Sequence, residues 1–205
     1  ISVVERMRQE GILADSKDIS AYLQDAGDSE RKSQILLERF AKLEQYILNH
    51  IPDGTLRISY KQLNENAVND GINTSKEKDI RTLLYFLTIK GYTRKKEDAI
   101  HNIEISRQTD LDSTIRRFEK RLEISRFTVE WLYQLASDAE KENVPGKAIQ
   151  FSVVELLNQI KSSSQSLFGG LDDIQLEDVE EALLYLSKIG SLKLEGGFLV
   201  LYNAM

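Results

Sequence analysis

The residues best suited to chemistry in this sequence are basic side chains between positions 76 and 101. They are Lys76, Lys78, Arg81, Arg94, Lys95, Lys96 and His101. Lys and Arg neutralise phosphate groups, and an imidazole can hydrogen-bond to a phosphate oxygen. Residues 76–96 carry seven Lys and Arg against two Asp and Glu, although the whole chain has a net charge of −6. The sequence therefore predicts a local phosphate-binding surface. The alternatives are a solvated basic surface and, for His101, an ordinary half-exposed strand position.

No combination of residues indicates a catalytic or metal site. The chain has no Cys and two His, and it lacks the GxxxxGK[ST], GxGxxG, HExxH and GxSxG motifs. His50 is expected to stabilise the end of a helix. The acidic residues 172–181 have no partner acid or base, so they are expected to be a solvated helix start. We therefore expect no active site and no cofactor within this sequence.

The basic residues lie on a segment, Ser75 to Ile105, that predicts a helix followed by a two-stranded hairpin. Its apolar residues Ile80, Leu83, Leu84 and Leu87 recur three or four positions apart and form one helical stripe. Thr74 or Ser75 is the expected N-cap, and Gly91 is the expected left-handed C-cap. Arg94, Lys95 and Lys96 are expected at the hairpin tip, and the returning strand places Ile103 and Ile105 on one face.

The preceding residues complete a recognisable order of elements. A helix with the apolar stripe Leu36, Phe40, Leu43, Ile47 and Ile51 ends at Pro52–Gly54. A short strand over 56–59 and a helix over 60–69 follow. Helix, strand, helix, helix and hairpin is the order of a winged helix, which we assign to residues 31–107. In that fold Lys76, Lys78 and Arg81 would face a DNA groove, and the hairpin, or wing, would lie along the backbone.

Residues 108–205 are predicted to be a linking helix and a second winged helix. Residues 109–143 form either one long helix or two helices broken near Ser125. A strand over 148–151, helices over 152–163 and 176–189, and a hairpin over 192–202 with a Gly-Gly turn follow. The two modules match at a constant offset of 99: Ile80, Leu84, Leu87 and Gly91 against Val179, Leu183, Leu186 and Gly190. Ser59 and Leu63 match Ser152 and Leu156 at an offset of 93. The predicted fold class is mainly α with small β-hairpins, as tandem winged-helix domains joined by a long helix.

The second module differs from the first in charge. Its second helix begins among six acids: Asp172, Asp173, Glu177, Asp178, Glu180 and Glu181. These carboxylates would repel phosphate, so this module is expected to make protein or intramolecular contacts. Residues 1–30 are expected to be connector helices, Ile1–Leu13 and Lys17–Gln24.

The composition, 41% hydrophobic and 29% charged over 205 residues, is that of a globular protein. The sequence contains no run of about 18 to 20 apolar residues and no signal peptide, so we expect no membrane partner and a cytoplasmic location. Because the chain begins at Ile1 rather than Met, we expect it to be a piece of a longer protein.

The stretch VERMRQEGILADSKDISAYL, Val4 to Leu23, together with the tandem architecture, resembles the accessory region of RecQ-like DNA helicases, and the similarity extends over nearly the full chain. The resemblance implies a parent enzyme of DNA repair and recombination whose motor, outside this sequence, uses ATP and magnesium. It also implies a winged helix that binds duplex DNA and helps to split it. The chain departs from the family in lacking a zinc module built from four cysteines. It also lacks an aromatic residue in the expected tip, 94–98, since Tyr92 lies nearer the base.

These expectations combine into one function. The chain is expected to position duplex or forked DNA for a helicase motor, with the basic residues holding phosphates rather than unstacking bases. Two other functions fit the same elements: a winged-helix transcription regulator and a protein-interaction scaffold.

Overall fold

The computed structural model describes residues 18–23, 28–100, 102–141, 148–167 and 174–202. The strands are β1 (Asp18–Tyr22), β2 (Thr55–Ser59), β3 (Thr93–Glu97), β4 (Asn102–Arg107), β5 (Ile149–Ser152) and β6 (Lys193–Gly196). The helices are α1 (Ser29–His50), α2 (Tyr60–Asn69), α3 (Glu77–Ile89), α4 (Leu111–Lys141), α5 (Val153–Leu167) and α6 (Leu176–Lys188), and a 3-10 helix covers Gly197–Tyr202. The fold is mainly helical with small antiparallel sheets, as the sequence predicted.

The chain divides into two compact units. One comprises residues 35–122, and the other comprises the described residues up to Gln34 together with those from Glu123 onward. Residues 35–122 carry 16 Lys and Arg against 13 Asp and Glu, whereas the rest of the chain carries 11 against 20. We therefore call them the basic unit and the acidic unit. The boundaries between the units lie inside α1, between Gln34 and Ile35, and inside α4, between Leu122 and Glu123. Helix α4 is continuous across Ser125, so the single-helix alternative is correct.

In the basic unit, β4 lies between β2 and β3 and is antiparallel to both. Apolar residues alternate along β4, so Ile103 and Ile105 are buried while Glu104 lies on the opposite face. The predicted stripe of α3 is confirmed, because Ile80, Leu83, Leu84 and Leu87 have no exposed surface. The basic unit thus buries one face of its sheet and the apolar stripe of α3.

The two ends of α3 are capped differently from each other. Gly91 has a φ of +79°, and the Tyr92 and Gly91 amides donate to the Leu87 and Thr88 carbonyls, as in a Schellman motif. The predicted N-cap is wrong, because Lys76 holds the N-cap position without a side-chain hydrogen bond. Ser75 instead donates its hydroxyl to Asn64 Oδ1 on α2 at 2.7 Å.

In the acidic unit, the N-terminal strand β1 forms the centre of the sheet. It lies between β5 and β6 and is antiparallel to both. The predicted helix over 17–24 is therefore wrong. Residues Ile19 and Ala21 alternate with polar neighbours and are fully buried, which is a strand pattern too short to distinguish from a helical one in the sequence. The predicted helix over 1–13 lies outside the described residues.

The predicted hairpin over 192–202 is also wrong. Only β6 forms there, and the chain continues into the 3-10 helix 197–202 instead of a second strand. Gly196 and Gly197 both have positive φ, and a Cβ on Gly196 would lie 3.1 Å from the Asp18 carbonyl oxygen. The Gly-Gly pair thus allows a close approach to β1, which already holds the position that a returning strand would take.

The two units share local features at matching positions. Ser59 and Ser152 each accept a hydrogen bond from the backbone amide three residues later, at 3.1 and 3.0 Å. Gly190 has the same φ as Gly91, +79°, and α6 ends with the same pair of hydrogen bonds as α3. Val179, Leu183 and Leu186 are fully buried. Both sheets place one antiparallel strand between two outer strands, but the acidic unit takes that strand from the N-terminal segment.

We predict that Ile19→Ala destabilises the acidic unit by about 2 to 5 kcal/mol, because it removes a fully buried side chain from the central strand. Hydrogen exchange should show faster exchange of the β5 and β6 amides, with the basic unit's β4 amides unchanged. The control is Ser20→Ala, on the other face of β1, with an expected change of less than about 0.5 kcal/mol. Unchanged exchange in Ile19→Ala would contradict the central position of β1.

Candidate nucleic-acid interface

The start of α3 presents two lysines to solvent. Lys76 and Lys78 are exposed, as the sequence analysis expected. The two acids of this turn form ion pairs with arginines. Glu77 pairs with Arg81 at 3.3 Å, and Asp79 pairs with Arg39 of α1 at 3.3 Å. The carboxylates therefore do not neutralise the lysines, and the positive end of the helix dipole adds to their attraction for anions.

The side chain of Arg81 is engaged within the protein. Its guanidinium lies 4.0 Å from the centre of the Tyr60 ring and 3.9 Å from Glu97 at the end of β3. Lys95, also predicted as a phosphate ligand, donates to the Tyr60 hydroxyl at 2.8 Å and lies 4.0 Å from Glu97. We call Tyr60, Arg81, Lys95 and Glu97 the Tyr60 cluster. It joins α2, α3 and β3, so the first turns of α3 and the far end of β3 are neighbours.

Arg94 and Lys96 lie on the opposite face of β3 from Lys95, and both are exposed. They pair in register with Ser106 and Glu104 of β4. Among the residues that the structure describes, no carboxylate lies within ion-pair distance of Arg94, Lys96, Lys76 or Lys78. Lys76, Lys78, Arg94 and Lys96 are thus exposed, whereas Arg81 and Lys95 contact Tyr60 and Glu97.

The predicted position of the hairpin tip is wrong. Arg94, Lys95 and Lys96 form the strand itself, and the chain turns after Asp98. The Asp98 carboxylate accepts hydrogen bonds from the Ile100 and Asn102 amides, both at 3.0 Å, and so fixes the turn. Ile100 is 74% exposed at this tip. His101 lies outside the described residues.

One cation of this surface was missed by the sequence analysis. Arg57 of β2 is 80% exposed and forms an ion pair with Glu104 of β4 at 2.6 Å. The alternation in TLRIS places the Arg57 side chain on the other face of β2 from Leu56 and Ile58. Its position beside Glu104, however, depends on the long-range pairing of β2 with β4, which no local sequence pattern indicates. The outer face of the sheet thus carries Arg57, Arg94 and Lys96 around the carboxylate of Glu104.

A buried ion pair between α1 and α4 packs against α3. Glu44 of α1 accepts from Arg121 of α4, and their side chains are 1% and 4% exposed. The Arg121 guanidinium also lies 4.2 Å from the Phe118 ring centre and 5.3 Å from that of Phe86 on α3. Tyr92, just after α3, packs edge to face on Phe118 at 4.9 Å. The position of α3 therefore depends on the partners of Arg121.

The helix of the acidic unit that corresponds to α3 presents a different surface. The first turn of α6 carries Glu177 and Asp178, and Asp178 accepts from the Gln175 amide at 2.8 Å in a capping box. Glu180 and Glu181 follow, whereas Asp172 and Asp173 lie outside the described residues. The acidic character that the sequence predicted thus covers the start of this helix.

Within the described ranges, no three His, Asp or Glu side chains are grouped so that they could hold a metal ion. No helix in that part of the chain is long and apolar enough to cross a bilayer. Comparison with protein-family models, curated proteins and solved structures finds no match to this chain.

We predict that Arg121→Met lowers the free energy of unfolding of the basic unit by about 3 to 5 kcal/mol, because it removes the ion pair that Arg121 forms with the buried Glu44 carboxylate. The double variant Arg121→Met with Glu44→Leu should recover most of that loss, since it removes both charges. Urea denaturation of the three proteins measures the difference. A double variant as unstable as the single one would show that the ion pair itself, and not its imbalance, governs stability.

Proposed function

We propose that the basic unit binds double-stranded DNA through its phosphate backbone. The observation that carries this proposal is the set of exposed cations free of carboxylate partners among the described residues: Lys76 and Lys78 on α3, and Arg94 and Lys96 on β3. The contact between Arg81 and Glu97 brings these two elements together. Two separated rows of cations fit the two phosphate rows that border a groove.

The finer fold that we propose for this role is a winged helix in the basic unit, whereas the described residues of the acidic unit repeat its helices without a hairpin. Helix, strand, two helices and two further strands follow one another in the basic unit, and the strand order β2-β4-β3 is that of a wing beside its partner strand. In this arrangement α3 would enter the major groove with Lys76 and Lys78 first. Arg94 and Lys96 would contact the adjoining backbone.

We further propose that the chain is the accessory segment of a RecQ-type ATP-dependent DNA helicase. The resemblance over Val4–Leu23 and the tandem order of elements support this assignment. Its work would be to position duplex or forked DNA for a motor outside this sequence, and ATP and magnesium would belong to that motor. The exposed cations would hold phosphates, so the segment would bind DNA of any sequence.

The acidic unit would serve protein or intramolecular contacts. Its residues 193–202 form β6 and a 3-10 helix, with no hairpin equivalent to β3 and β4. Its α6 begins among carboxylates that repel phosphate. Val200 and Leu201, 48% and 47% exposed on the 3-10 helix, add an apolar surface of the kind that protein partners cover.

Titration of the chain with forked, duplex and single-stranded DNA at two salt concentrations separates the candidate functions. The helicase segment should bind fork and duplex without sequence preference, and the log-log salt slope should be at least as steep as roughly −4, the value for phosphate contacts by the four exposed cations. Binding to one palindromic sequence would favour a transcription regulator. No binding to any DNA at about 50 mM salt would leave the scaffold function.

We predict that Arg94→Ala with Lys96→Ala weakens binding to all DNA sequences alike and reduces the salt slope by about 2, because two phosphate contacts are lost. Both side chains point to solvent, so the thermal stability should not change. The control is Lys42→Ala with Arg116→Ala, which removes the same charge from exposed positions on α1 and α4. An equal loss in the control would mean that net charge and not this surface drives binding.

A further inference from the structure

The Tyr60 cluster contains two cations that could hold phosphate but are turned toward a carboxylate. We propose that Glu97 occupies the place of a DNA phosphodiester between Arg81 and Lys95, and that a bound duplex displaces it. This inference rests on the proposed DNA binding of the basic unit. It assigns to Glu97 the role of an internal competitor that weakens binding until DNA arrives.

The contacts of Glu97 with these two cations are long. Its carboxylate oxygens lie 3.9 Å from Arg81 Nη1, 4.0 Å from Lys95 Nζ and 3.4 Å from the Tyr60 hydroxyl. A charge-assisted hydrogen bond between such groups is normally about 2.7 to 2.9 Å long. The carboxylate is therefore close enough to offset part of the charge of both cations, but it is too far from them to form its strongest hydrogen bonds.

Tyr60, in contrast, holds both cations firmly. Its side chain is 2% exposed, its ring carries the Arg81 guanidinium at 4.0 Å, and its hydroxyl accepts from Lys95 at 2.8 Å. Arg81 also pairs with Glu77 one turn earlier on α3 at 3.3 Å. The positions of Arg81 and Lys95 therefore do not require Glu97, and both would remain in place if its carboxylate moved away.

The cluster is also accessible to a ligand. The side chains of Arg81, Glu97 and Lys95 are 43%, 34% and 20% exposed, so they are neither fully solvated nor sealed. Charges at such a depth interact more strongly than in bulk water. The cluster lies between the start of α3 and the strand that bears Arg94 and Lys96, which are the two elements expected to contact the DNA backbone.

A phosphodiester would fit this position better than the carboxylate does. It brings a full negative charge on two oxygens from outside the protein and is not restrained by the end of β3. Once Glu97 swings toward solvent, Arg81 and Lys95 add two phosphate contacts to the four exposed cations. Conversely, the Glu97 carboxylate repels the approaching phosphate while it remains in place.

The test is the variant Glu97→Gln in the full chain, titrated with a nonspecific duplex over a series of salt concentrations. Glutamine keeps the size of the side chain and can still accept the hydrogen bond from Tyr60, but it lacks the charge. We expect the affinity to rise by at least about fivefold, and the salt slope to be at least as steep as that of the wild type, approaching roughly −5 for six phosphate contacts. The gain should vanish when Arg81→Gln and Lys95→Gln are also present.

Glu65→Gln is the matched control, because Glu65 is an exposed acid on α2 outside the cluster. An equal gain in Glu65→Gln, or no gain in Glu97→Gln while the wild-type chain binds DNA, would overturn this inference and leave the proposed function standing. If neither the wild type nor Glu97→Gln binds the duplex, both proposals fail. If millimolar inorganic phosphate at constant ionic strength competes with the duplex for Glu97→Gln, the site belongs to free phosphate instead.

Discussion

Glu44 and Arg121 meet in the interior of the basic unit, where water can solvate neither charge. Taking an isolated charge out of water costs several kcal/mol, so each side chain requires the other to remain in place. Arg121 also packs on Phe118 and Phe86, and the ion pair thereby joins α1, α4 and α3. Because the buried face of α3 is fixed in this way, its exposed face is fixed as well. The positions of Lys76 and Lys78 follow from that buried arrangement.

In the same unit, the periodicity of β3 and α3 places some cations in solvent and others against Tyr60. Along β3 the side chains alternate, so Lys95 faces Tyr60 while Arg94 and Lys96 face solvent. On α3, Arg81 lies one turn after Glu77 and is held over the Tyr60 ring. The basic stretch is therefore a set of exposed cations around a cluster in which Arg81 and Lys95 lie beside the Glu97 carboxylate.

Local patterns in the sequence predicted the local structure well. The stripe of α3, the Gly91 cap and the span of α2 all appear where the spacing placed them, because each depends on residues within a few positions of one another. The exposed lysines and arginines of the candidate surface were also identified from the sequence. The contacts of Arg81 and Lys95 with Tyr60 were not, because Tyr60 is at least 21 positions away from either residue.

Long-range strand pairing accounts for the main errors. Strand β1 pairs with β5 and β6, whose residues lie more than 120 positions away, and no local pattern distinguishes its five residues from a helical turn. Since β1 fills the centre of the sheet, the Gly-Gly pair after β6 leads to a 3-10 helix and not to a hairpin. The position of Arg57 beside Glu104 likewise depends on a long-range strand pairing. The turn after β3 depends on hydrogen bonds from the Ile100 and Asn102 amides to the Asp98 side chain.

The two units thus share a helix stripe, a glycine cap and a three-stranded antiparallel sheet, while their net charges are opposite. The central claim is that DNA binds only the basic unit, through α3 and β3. Amide chemical-shift mapping of the isotope-labelled chain during titration with a nonspecific duplex tests this claim directly. The account predicts shifts concentrated in residues 76–81 and 94–97, with α6 and β6 unchanged. Shifts concentrated in residues 176–202, or spread evenly over both units, would contradict it.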